Sequence, residues 1–115
     1  MQCLEEKTKM AILRYLPKEE VLEMLANYFQ AFSDKTRIKI LSALSISELC
    51  VGEISSMLEI NQTTISHQLK FLKSLSLVKN KRDGKLIYYS LASEKINELM
   101  LCGVEHIENQ RVMFS

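Results

Sequence analysis

The sequence predicts a mainly helical fold with one small β-hairpin. Three observations carry this. The 115 residues include only three Gly and one Pro, no Trp, and 47% apolar residues, a composition rich in helix formers such as Leu, Lys, Glu and Met. Apolar residues recur three or four apart along most of the chain, the spacing of one helix face. One stretch breaks that period: LVKNKRDGKLIYYSL, residues 77–91. Its two β-rich runs flank Asp83-Gly84, the strongest hairpin signal at short range.

The length suggests a single domain over 1–115 with a real but modest core. There is no internal repeat and no linker rich in Gly, Ser or Pro. No apolar run approaches the roughly 20 residues of a membrane helix. The start, MQCLEEKTKM, has acids where a signal peptide needs an apolar stretch. The expected location is therefore the cytoplasm, with no membrane partner. Three widely spaced cysteines, Cys3, Cys50 and Cys102, do not form the even set of a secreted disulfide framework. Their plain reading is as small buried hydrophobes.

Each element has its own signal. Residues 1–16 form an N-terminal arm, weakly amphipathic through Leu4, Ile12, Leu13 and Leu16. Pro17 suits the first turn of the next helix, and Glu19 and Glu20 suit the acid-favouring end of its dipole. Val21, Leu22, Leu25, Phe29 and Phe32 then repeat at helical spacing. Ser33-Asp34 is a plausible cap for a helix with Ile38, Leu41 and Leu44 in its stripe and Ile40 beside it. Residues 45–50 read as a connection. Ile54, Met57 and Leu58 mark a short helix, Glu59-Ile60-Asn61 a turn, and Asn61 a cap for the helix after it.

That helix, 62 to about 76, places Ile65, Leu69, Leu72 and Ser76 on one face. Thr63, Ser66, His67, Lys70, Lys73 and Ser74 lie opposite, with no acid among them. After the hairpin, 92–111 reads as a long helix with Ile96, Leu99, Met100, Gly103 and Ile107 in register. That stripe is too long for a small core, so a partner helix is expected.

Charge gives the pattern a purpose. Between 62 and 91, Lys70, Lys73, Lys79, Lys81, Arg82 and Lys85 face one acid, Asp83, while the whole chain carries only +1. A helix pair over 51–76 with a polar outer face, followed by a basic hairpin over 77–91, makes a winged helix-turn-helix. A major groove about 12 Å wide admits one helix. Gln62, Thr63, Thr64, Ser66 and His67 are short hydrogen-bonding groups fit for base edges. Lys70, Lys73, Lys81, Arg82 and Lys85 are placed for phosphates. The expected partner is double-stranded DNA. A winged-helix module that binds protein is the alternative, opposed by the charge it would bury in an interface. An enzyme lacks parts: the two histidines are far apart with no paired carboxylate cluster, and there is no Gly-rich phosphate loop or Ser-His-Asp order.

Four segments resemble a known family. AFSDKTRIKILSAL (31–44) carries Asp-x-Thr-Arg before Ile-Leu-x-x-Leu. ELCVGEI (48–54), NQTTISHQLKFLKSLSLV (61–78) and RDGKLIYYSL (82–91) come after it at natural spacing. Together they resemble the ArsR-type (ArsR/SmtB-like) winged helix-turn-helix transcriptional regulators. One departure is Gln68, where Leu is common; that slot is expected to face solvent. The resemblance implies a homodimeric repressor, paired through its first and last helices, on a two-fold operator. A bound effector would lower its DNA affinity.

The resemblance also raises metals. Thiolate-sensing members carry Cys-Val-Cys where this chain has Cys50 and Gly52. Cys3 from the partner's arm could join Cys50, with Cys102 a weaker third. The zinc positions of other members fall on Ser93, Lys95, His106 and Asn109, of which His106 alone keeps a ligand. No resident cofactor is expected. A soft metal or metalloid on thiolates, or an oxidant acting on them, stays open as an alternative to cysteines that only pack.

Overall fold

Side-chain caps start some of the helices, and left-handed residues stop two of them. The computed structural model describes residues 4–114, with side chains as far as Arg111, so Cys3 lies outside the described residues. Its elements are α1 (Glu6–Tyr15), α2 (Glu19–Ala31), α3 (Lys35–Ile46), β1 (Leu49–Cys50), α4 (Val51–Leu58), α5 (Gln62–Ser74), β2 (Val78–Asp83), β3 (Leu86–Leu91) and α6 (Glu94–Phe114).

Asp34 caps α3 by accepting from the Arg37 N–H at 3.0 Å. Asn61 caps α5 by accepting from the Thr64 N–H at 3.0 Å. Both are short acceptors that reach the orphan donors of a first turn. Pro17 behaves differently from its expected place in a first turn. It precedes the N-cap Lys18, and Leu16 before it is extended, with ψ 129°. A proline pushes its predecessor out of the helical region, so Pro17 ends α1 instead of opening α2.

Helix α4 stops at Glu59, whose φ is 55°, with the Ile60 N–H reaching back to the Ser55 carbonyl at 3.2 Å. Helix α5 stops the same way: Ser76 has φ 59° and the Leu77 N–H bonds the Leu72 carbonyl at 3.0 Å. Both are Schellman-type closures. Helix α5 thus ends at Ser74, and Ser76 is exposed instead of extending the inward face. Ser93 accepts from the Lys95 N–H at 3.1 Å, so α6 begins at Glu94, two residues later than the sequence suggests.

The sheet has the order β1-β3-β2, antiparallel throughout. It holds one strand more than the hairpin expected, because Leu49 and Cys50 pair with Tyr89 and Tyr88. Residues 45–50 are therefore the last turn of α3 and a short strand. Asp83 pairs with Leu86, leaving Gly84-Lys85 as a two-residue turn. Gly84 has φ 64°, which a type II′ hairpin needs at its first central position.

The core lies between α3, α4, α5 and the sheet. Ile40, Leu41, Ile54, Ile65, Leu69 and Leu72 are completely buried, joined by Leu44, Leu77 and Val78. Ile38 sits at the rim and Ile40 takes its place inside. By contrast α1 buries nothing, and α2 buries only Ala31. The radius of gyration is 18.7 Å, against about 13 Å for a compact chain of this length. Among the described residues, no helix is long and apolar enough to cross a membrane.

Candidate nucleic-acid interface

Helix α5 is held from behind by Ile65, Leu69 and Leu72, all fully buried. This turns Thr63, His67, Lys70 and Ser74 outward, all exposed and all within one line of the helix. Gln62, Thr64 and Lys73 are exposed on its shoulders, and Ser66 is half-buried. The Gln62 amide nitrogen lies 3.9 Å from where a Cβ on Gly52 would stand, so this side chain leans toward α4. The predicted base-reading set is thus on one surface, with Thr63 and His67 outermost.

The wing stands on one shoulder of α5. Lys73 Nζ donates to Asn80 Oδ1 at 3.1 Å. Residues of β2 alternate between faces, so Arg82 shares the side of Asn80, toward α5. Lys79 and Lys81 take the other side. There Lys81 Nζ lies 3.3 Å from Glu48 Oε2, so its charge is partly met within the protein. Arg82 and Lys85 are exposed at the tip. Of the predicted phosphate set, Lys70, Lys73, Arg82 and Lys85 border one surface, and Lys81 is set apart.

The other shoulder holds residues that composition and spacing did not single out. Gln68 is half-buried, not solvent-facing. Its Oε1 accepts from Arg37 Nη1 at 3.4 Å, and the Arg37 guanidinium lies 4.9 Å above the centroid of the Phe71 ring. The available signal was Arg37 three residues after a capping Asp, where a long side chain can lie back across the helix junction. Asn80, a neutral residue amid four hairpin cations, was a second.

The residues expected to pair with a second copy divide as well. Ile96 and Met100 pack against the protomer's own core. Leu99, Gly103 and Ile107 are exposed and line an open apolar trough of about 290 Å³ with Phe29, Phe32 and Ile38.

Against known proteins, residues 34–80 match the model of the bacterial regulatory protein, arsR family. A cadmium resistance transcriptional regulatory protein CadC homologue from Staphylococcus aureus is 41% identical over 86 residues, covering 74% of this chain and 70% of that protein. This chain belongs to the ArsR family. A transcriptional repressor SmtB homologue from Synechocystis is 35% identical over 86 residues, and the match covers 75% of this chain and 65% of that relative's length. Among solved structures, the homodimeric winged helix-turn-helix DNA-binding domain of Mb0332 from Mycobacterium bovis superposes with a TM-score of 0.74 at 27% identity, covering 88% of this chain and 95% of that one. As an ArsR-family protein the chain is a transcriptional regulator with a winged helix-turn-helix DNA-binding fold, not an enzyme.

The residues of this ArsR-family chain bear on metal chemistry directly. Cys50 is buried and serves as the N-cap of α4, its side chain accepting from the Glu53 N–H while Glu53 Oε1 accepts from the Cys50 N–H at 3.0 Å. That backbone bond, and then the Cys50 thiol, hold the Glu53 carboxyl below its ordinary 4.5. Tyr88, paired with Cys50 across the strands, has its hydroxyl pushed up by burial and then by the nearby Glu53 charge. Cys102 is exposed. Lys95 lies 3.9 Å from Glu98, and Ser93, just before α6, and His106 and Asn109 on it are exposed. Among the described residues of one protomer, no three His, Cys, Asp or Glu side chains converge on a metal position.

Proposed function

We propose that the protein is a homodimeric, sequence-specific repressor acting in the cytoplasm on a two-fold operator. In this reading the chain is one unit over 1–115: an arm at 1–16, the helix-turn-helix at 51–76, the wing at 77–91 and the pairing helix at 92–111. Gln62, Thr63, Thr64, Ser66 and His67 read base edges. Lys70, Lys73, Arg82 and Lys85 bind phosphate, with Lys81 weaker because of Glu48. Leu99, Gly103 and Ile107 meet the second copy, while Ile96 and Met100 back them from the core. The observation that carries this is the acid-free outer line of α5, backed by a fully buried face and flanked by the wing cations.

The test is binding to a duplex selected from a randomised pool, against a mixed-sequence duplex. His67→Ala or Thr63→Ala should weaken the selected duplex by about 1–3 kcal/mol and spare mixed-sequence binding. Lys70→Ala, Arg82→Ala or Lys85→Ala should weaken both and flatten the salt dependence by about one phosphate each. Equal losses on both duplexes for His67→Ala and Thr63→Ala would remove α5 from base reading.

A second reading, release by a soft metal or metalloid, is favoured by the cadmium resistance regulators among the relatives. In this chain Cys50 would have to leave its cap and take ligands from Cys3 of the second copy or from Cys102. Titrating cadmium and arsenite against DNA-bound protein decides it. Release that Cys50→Ser abolishes would establish the site; unchanged occupancy would leave Cys50 as a buried capping residue.

A further inference from the structure

We propose that Arg37 is a positioning residue: a strut that fixes the angle between α2 and the reading helix α5, and so enforces half-site spacing. This rests on the proposed function, in which α5 enters DNA and α2 with α6 faces the second copy.

The strut is fixed at its root. Asp34 accepts from the Arg37 backbone N–H at 3.0 Å, which anchors the first turn of α3. Its head reaches two helices at once. Nε donates to the Ala31 carbonyl at 2.8 Å and Nη2 to the Gln30 carbonyl at 3.1 Å. These are terminal carbonyls of α2, beyond the reach of its own N–H groups; that of Gln30 also accepts from the Ser33 N–H at 3.1 Å and hydroxyl at 2.6 Å, and a cation is the favoured charge there. On its other side Nη1 reaches Gln68 Oε1 at 3.4 Å, and the guanidinium lies 4.9 Å above Phe71. That separation is within range for a cation over an aromatic face. Gln68 and Phe71 are three apart, on the shoulder of α5 away from the wing.

The chemistry suits an arginine and nothing else. A planar fork can bond adjacent carbonyls while its flat face covers a ring; an ammonium cannot do both. No carboxylate forms an ion pair with it among the described residues, so it is not a fixture of charge neutralisation. The position matters because α2 has little other hold on the core. Ala31 is its one buried residue, Tyr28 is half-buried against the core, and Val21, Met24, Leu25 and Phe29 are exposed. A tilt of α2 imposed by a second copy therefore reaches α5 through Arg37 and the residues beside it.

The experiment uses the full chain and the selected duplex, plus two derivatives with one or two base pairs inserted between half-sites. Wild-type protein should bind the derivatives poorly. Arg37→Met should keep its dimeric mass and its mixed-sequence affinity within about twofold. It should lose about tenfold on the selected duplex, and its penalty for inserted base pairs should shrink. Arg37→Lys should behave like Arg37→Met, because charge alone does not make the fork. Gln68→Leu and Phe71→Leu leave the carbonyl bonds intact and should shift the spacing penalty less, in the same direction; they carry the test if Arg37→Met does not fold. A uniform loss on every duplex, or an unchanged spacing penalty in all three positions, overturns the strut. Wild-type protein that selects no duplex, or binds one as a monomer, overturns the DNA reading itself and the strut with it.

Discussion

Leu69 and Ile107 are both apolar residues on helical stripes, yet one is fully buried and the other is 59% exposed. The same contrast divides the whole molecule. Around α3, α4 and α5, the apolar residues close on one another and on the sheet. Along α1, α2 and α6, Leu13, Phe29 and Ile107 are each more than half exposed. Periodicity marks both regions alike. The difference is that the inner stripes are covered within the protomer, while the outer ones are covered only in part, at residues such as Tyr28, Ile96 and Met100. A stripe is therefore evidence of a buried face, without saying whose atoms bury it.

Substitutions can break this division. Leu69→Ala should cost about 2–5 kcal/mol of unfolding free energy in urea melts, whatever the protein concentration. Ile107→Glu should leave the isolated protomer within about 0.5 kcal/mol of wild type, yet give monomers by sedimentation at micromolar concentration. Leu99→Glu should do the same. If Ile107→Glu cost as much as Leu69→Ala in dilute protein, the outer shell would belong to the protomer's own core after all.

Smaller effects sharpen the inner region. Glu59 takes a left-handed conformation that strains a side chain. Glu59→Gly should raise the melting midpoint, by about 0.5–1 kcal/mol of stability. A fall would mean that Glu59 makes a contact worth more than its strain. The smallest effect is acid sensitivity at the start of α4. Glu53 has a lowered native pKa, so its contribution is present above the ordinary 4.5 and is lost as pH falls through the lower native value. Protection of the Cys50 amide from hydrogen exchange should drop across that acidic window in wild type and show no such step in Glu53→Gln.

How much was legible depended on distance along the chain. Asp34 and Asn61 were readable as caps because each meets a donor three residues away. Asp83-Gly84 was readable as a hairpin for the same reason. The Leu49–Cys50 strand was not, because its pattern exists only once Tyr88 and Tyr89 arrive from forty residues downstream. Gln68 looked like a solvated residue because nothing local shows that Arg37 lies against it. Lys81 looked equivalent to Arg82 because strand alternation and Glu48 separate them only in three dimensions. The outward line of α5 was legible, since one helical period is enough to build it. Its shoulders were not, since other elements build them.

The two-residue turn at Gly84-Lys85 sets a measure. Val78 is buried at the root of β2, and the strand runs only to Asp83. The part that stands clear, from Lys81 to the turn, is about 10 Å long at a strand's rise per residue. On the proposed reading that is about three base pairs of duplex at 3.4 Å each. The wing is therefore a short ruler: it extends each protomer's footprint by less than a third of a helical turn, and the width of the protected DNA is set mainly by how far apart the two α5 helices are held.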